Sequence, residues 1–81
     1  MSELTQEARV LAILEHTLGC PEELLIPGST LKDDLGLSPL DVETLRLIVN
    51  RDCNVVLEQE DMAAIRTLED LHATIMEKAG K

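Results

Sequence analysis

Apolar residues recur along this chain at intervals of three and four, the spacing that lines them up on one side of an α-helix. Ala8, Leu11, Leu14 and Leu18, with Val10 beside them, predict a first helix over 5–18, and Gly19 followed by Cys20-Pro21 ends it. Residues 21–37 then lose the period: two prolines, two glycines and polar residues mix with Leu24, Leu25, Ile26, Leu31 and Leu35. A loop of that length is uncommon in a small domain, and its leucines predict that it lies pinned across the helices, with Thr30-Leu31-Lys32-Asp33 capping one short turn.

Ser38-Pro39-Leu40-Asp41 restarts the helical pattern with three independent signals: a hydroxyl at the N-cap, proline at the first helical position and an acid at the third. This second helix is predicted to run to about residue 52. Residues 58–65 carry enough helix formers for a short third helix, entered from the extended Asn54-Val55-Val56-Leu57. Thr67-Leu68-Glu69-Asp70 repeats the capping logic, and Leu68, Leu71, Ile75 and Ala79 form a stripe before Gly80. The pattern therefore predicts an all-α fold of four helices, the third one short, with a long loop between the first two and one domain over 1–81.

On the second helix, Val42, Leu45 and Val49, with Ile48 at the margin, cluster on one side and are expected to meet the core. Leu40 and Leu47 point the other way, stacked seven residues apart and flanked by Glu43, Thr44, Asn50 and Arg51. Two readings stand: ordinary leucines, exposed or covered by the long loop, or a docking patch with a charged rim. The second is preferred, with Leu40, Glu43, Leu47 and Arg51 as its residues.

Composition narrows the chemistry. The 81 residues include no Phe, Tyr or Trp, so Leu, Ile, Val, Met and Ala must build the core, which favours packed helices over a sheet. Sixteen acidic against seven basic residues give a formal charge of -9, a field that repels phosphate backbones and anionic lipid. Nucleic acid and membrane are therefore not expected as partners, and a protein partner is expected to offer a basic or an apolar surface. The start of the chain lacks the positive, then apolar, pattern of a secretory signal, so a cytoplasmic monomer is expected. Cys20 and Cys53 are read as buried free thiols, ahead of disulfide or metal roles. His16 and His72 fall in separate helices without ligand or triad spacing, so no catalytic residue or metal site is assigned and an enzyme is not expected. Glu22-Glu23 and Asp33-Asp34 read as solvated acids in preference to a loose cation site.

The run Asp34-Leu35-Gly36-Leu37-Ser38-Pro39-Leu40-Asp41 resembles the signature of acyl carrier proteins, an Asp-Leu-Gly-x-Asp-Ser-Leu-Asp pattern. The resemblance continues without a gap through Leu45, Leu47, Leu57, Ile65 and Thr67-Leu68. It implies a four-helix bundle whose signature serine, at the head of helix two, carries a 4'-phosphopantetheine arm for acyl or aminoacyl groups. The position matching that serine is Pro39, which has no hydroxyl, while Ser38 falls one residue early. The family's run of acids along helix two, used against basic enzymes, is interrupted here by Arg46 and Arg51. Its aromatic near the end of that helix is replaced by Cys53, a loss of volume expected to loosen the bundle unless leucines close in.

The preferred expectation is thus a non-catalytic protein of this type that has no cofactor and acts by protein–protein interaction. The alternative is a working carrier with phosphopantetheine on Ser38, serving fatty acid, polyketide or related biosynthesis. Independently of that choice, mutual repulsion among sixteen carboxylates predicts that salt stabilises the domain. Raising NaCl from about 20 to 300 mM should lift the melting temperature by roughly 2–5 °C; no rise would mean that the acids are closely paired.

Overall fold

The computed structural model describes residues 6–79. Among them lie four helices and no strand. Helix α1 spans Gln6–Ala12 and runs on into a wider π-helical turn, Ile13–Thr17. Helix α2 spans Pro39–Asp52, α3 Gln59–Ala64 and α4 Leu68–Ala79. The expected all-α architecture, with a long first connection and a short third helix, is the one found. The predicted start at Thr5 and stop at Gly80 lie outside the described residues.

The end of α1 shows why the helix stops there. Gly19 takes the left-handed conformation, with φ +73°, which turns the chain so that the Cys20 N–H donates to the Leu14 carbonyl at 2.9 Å. The π turn changes the phase of the helix. Val10, Ile13 and Leu14 are the buried residues, whereas the expected stripe members Ala8, Leu11 and Leu18 are only half-buried. Leu14 and Val10 are thus buried as expected, whereas Ile13 takes the place expected of Leu11; the π turn can account only for positions after it, such as Leu18.

The long loop is fastened to the opposite end of the chain. The Leu31 N–H donates to the Arg66 carbonyl, and the N–H groups of Leu68 and Glu69 donate to the carbonyls of Ser29 and Pro27, all at 2.9–3.0 Å. Two of the four donors that the start of α4 leaves unpaired are satisfied in this way. A third is met by the cap, in which the Asp70 N–H donates to Thr67 Oγ1 at 3.2 Å. Leu31, Leu35 and Leu37 are buried by this arrangement, but Leu24 and Ile26 face solvent, so only the second half of the loop is pinned as expected.

The core is aliphatic throughout. Leu45 and Val49 of α2, Leu57 ahead of α3, and Leu68, Leu71 and Ile75 of α4 are all at most 1% exposed, while Ala79, expected on the same stripe, is exposed. Cys53 is 4% exposed within this cluster, which also holds Val55 and Leu57, so a small thiol occupies the end of α2. From α1, Gln6 Nε2 donates to the Cys53 carbonyl at 3.2 Å and Arg9 Nη1 to that of Asp52 at 3.0 Å. These donors occupy carbonyls that a helix end leaves open. Both cysteines are unbonded, and burial pushes both thiols up from their ordinary pKa.

Several ionisable groups make the fold sensitive to acid. His72 on α4 is half-buried, its Nδ1 has no hydrogen-bond partner, and burial holds its pKa below the ordinary imidazole value despite the pull of Glu7. The unfolded chain therefore takes a proton that the folded chain refuses. That contribution is complete above pH ~6.5 and is lost as pH falls through the folded value. Asp61 and Asp70 lie below the usual carboxylate range because they accept backbone N–H bonds, so their contributions fade at still lower pH. The melting temperature should be flat between about pH 7 and 8, decline in two limbs below that range, and decline above it as the unfolded chain ionises the thiols. His72→Gln should remove the upper limb, which sets in as pH falls below about 6.5, and leave the lower one. An unchanged profile in that variant would contradict this account.

Candidate functional site

The site is built at the head of α2. Thr30 and Asp34 exchange hydrogen bonds, the Thr30 N–H to Asp34 Oδ2 and the Asp34 N–H to Thr30 Oγ1, each at 2.9 Å. Gly36, at φ +67°, then reverses the chain so that the Leu37 N–H reaches the Leu31 carbonyl at 2.9 Å. The predicted turn exists, but it is closed by Asp34 and not by Asp33. Its effect is to drive Leu35 and Leu37 into the core and to deliver Ser38 to the surface.

Ser38 is the N-cap of α2, as its sequence context predicts. Its Oγ accepts from the Asp41 N–H, and Asp41 Oδ2 accepts from the Ser38 N–H, both at 3.1 Å. Pro39 follows at the first helical position, where a missing N–H costs nothing and a fixed φ suits the helix. Ser38, Pro39 and Leu40 are all exposed. Pro39 presents no heteroatom on its side chain, and the one hydroxyl nearby already serves the cap. These residues do not fit a phosphodiester-linked arm at the first helical position.

Beyond the cap, Leu40 is 74% exposed and Leu47 54%, so neither is covered by the long loop. At about 100° per residue, Leu40, Thr44, Leu47 and Arg51 fall within roughly 60° of arc on the outer side of α2. Leu45 and Val49 on the inner side are fully buried, while Val42 and Ile48 are half-buried at the flanks. The predicted division of the helix into a core face and an outer face is thus reproduced.

The polar residues around the leucines have individual attachments. Glu43 is gripped by Arg46, whose Nε donates to Oε1 at 3.1 Å while Nη2 donates to Oε2. This bidentate bond holds the Glu43 carboxyl below its usual pKa range. Arg46 Nη1 also donates to the Leu57 carbonyl at 3.0 Å, and its side chain is only 17% exposed. Asn50 completes the clamp, donating from Nδ2 to the same carbonyl at 3.2 Å and accepting the Leu57 N–H at 2.8 Å. Arg46 and Asn50 therefore fix the α2–α3 connection. Arg51 pairs through Nε with its neighbour Asp52 at 3.0 Å, yet its side chain remains 76% exposed.

A groove of about 450 Å³ lies between the loop, the start of α2 and α3, with Leu31, Val42, Met62 and Ile65 in its wall and Lys32 and Arg66 also lining it. Its lining residues are scattered over four segments, so no local motif announced it. Elsewhere, His16 is exposed beside Glu15, and His72 is half-buried on α4. Among the described residues, no three His, Cys, Asp or Glu side chains are grouped so as to hold a metal ion. No helix there is long and apolar enough to cross a membrane.

No family model matches the chain. It is similar to the acyl carrier protein of Syntrophobacter fumaroxidans (strain DSM 10017 / MPOB), with 30% identity over 71 residues that cover 88% of each protein. The four-helix fold agrees with that likeness, which takes in most of the chain: this protein belongs to the acyl carrier protein family.

Proposed function

We propose that this protein is a family member without the swinging arm, which acts by binding another protein through the outer face of α2. The observation that carries this reading is Pro39. The family resemblance puts the arm-bearing serine at that residue, and a pyrrolidine ring has no oxygen to phosphorylate. Ser38 is a poor substitute. One step along a helix start turns a side chain by about 100° and shifts it along the axis, so a transferase docked for the usual serine meets Pro39 instead. Modification of Ser38 would also remove its Oγ from the cap, an interaction typically worth about 1 kcal/mol.

The chain retains a scaffold with two large exposed leucines in register on a well-fixed helix. Anchors of this kind, with polar neighbours, are the usual composition of a docking patch. The Glu43–Arg46–Leu57 clamp supports the role by holding the helix against the segment that leads into α3, so the patch is presented on a rigid element. Chemistry of its own would need a poised base in a cleft, and the exposed, separate His16 and the half-buried His72 offer none.

Two experiments test the proposal. Leu40→Asp combined with Leu47→Asp should abolish capture of the partner from a host lysate while leaving the melting temperature within about 3 °C, because both side chains are already in solvent. Undiminished capture would show that this face is not used. Pro39→Ser should create a substrate for a broad-specificity phosphopantetheinyl transferase with coenzyme A, read as a mass gain mapped to residue 39. A variant that stays unmodified would mean that more than the oxygen is missing.

A further inference from the structure

Basic side chains are few in this chain, and most of them are engaged. Residues 6–79 contain six Lys and Arg. Arg46 holds Glu43, Arg51 faces Asp52, Lys78 meets Asp61 at 3.1 Å, and Arg9 donates to the Asp52 carbonyl. Lys32 and Arg66 are the two whose side chains make no hydrogen bond or ion pair among the described residues. Asp70 feels the charge of Arg66, but its Oδ2 accepts the backbone N–H groups of Arg66 and Thr67 and not the guanidinium.

Both free bases line one groove, the space of about 450 Å³ between the long loop, the start of α2 and α3. The backbone fixes their separation, because the Leu31 N–H, one residue from Lys32, donates to the Arg66 carbonyl at 2.9 Å. Asp33 is the single acid in the lining. Two bases against one acid leave the groove at +1 on a chain of -9. Within a Debye length this local charge counts for most, so the group that complements the groove is an anion.

The floor decides what carries that anion. Leu31, Met62 and Ile65 are only 3%, 8% and 7% exposed, so they show little more than their edges, and half-buried Val42 completes the wall. A long aliphatic tail would bury too little apolar surface here to be held, since the gain scales with the area removed from water. One apolar side chain with carboxylates beside it fits both the short floor and the two bases. That combination belongs to a protein surface.

We infer that this groove is a second docking site, which seats an acidic segment of a protein partner: one apolar side chain rests on the floor while flanking Asp or Glu carboxylates meet Lys32 and Arg66. The inference adds a partner chemistry to the binding role proposed above, and it requires neither Leu40 nor Leu47.

The probe is the capped pentapeptide Ala-Glu-Leu-Glu-Ala, titrated against the whole chain in about 50 mM NaCl and read by amide NMR shifts. Shifts should gather at Leu31, Val42, Met62, Ile65 and Arg66, and the same peptide with both Glu replaced by Gln should bind at least about fivefold more weakly. Lys32→Ala and Arg66→Ala should each weaken the acidic peptide by about two- to threefold and leave the Gln peptide unchanged. Neither side chain holds the fold together, so both variants should fold as the parent does. Absence of saturable binding up to about 10 mM peptide, equal affinity of the two peptides, or indifference to both substitutions overturns the inference. Octanoate that binds at these residues more tightly than the acidic peptide also overturns it, by giving the groove to a small carboxylate. Leu40→Asp with Leu47→Asp should leave the titration unchanged, so failure of the α2 face and failure of the groove are read separately.

Discussion

The start of α2 is fixed by a reciprocal pair of hydrogen bonds between Ser38 and Asp41, with Pro39 clamped between them in the conformation its ring requires. The rest of the surface depends on this. Below this start, burial of Leu45 and Val49 turns the helix so that Leu40 and Leu47 face outward. The same two bonds occupy the hydroxyl nearest the helix head. On the proposed reading, the bonds that start the helix also engage the hydroxyl next to the missing attachment oxygen.

That cap depends on the turn before it. Asp34, Leu35 and Gly36 each serve the turn mechanically. The carboxylate closes it on Thr30, the leucine enters the core, and the glycine supplies a left-handed residue. None of these roles involves a cofactor. In a member without the arm, as proposed above, the signature run would keep its use as architecture. Further along, Arg46 and Asn50 tie the α2–α3 connection to the helix, so two polar residues beside the leucines serve the fold.

Much of this was legible in the amino-acid order. Caps at Ser38 and Thr67, the stop at Gly19 and the two faces of α2 are local features, set by residues a few positions apart, and the structure has them where the pattern placed them. Features that depend on distant partners were not legible. On α1 the buried face runs through Val10, Ile13 and Leu14, so Leu14 and Val10 stand as expected while Leu11 and Leu18 are only half-buried, the latter beyond a π turn that the spacing does not announce. Glu43, placed on the docking rim by its position, proved to be gripped by Arg46, and Arg46 was recruited by a carbonyl eleven residues away. The unpaired Nδ1 of His72 likewise depends on the groups that pack over α4. In the site, the missing oxygen at Pro39 is visible in the sequence; the neutralised charges around it are visible only in three dimensions.

The central claim is that this member of the family carries no arm. Intact-mass analysis of the protein isolated from its own host tests that claim most directly. The account predicts the mass of the bare polypeptide. A covalent phosphopantetheine, mapped by peptide fragmentation to Ser38, would contradict it.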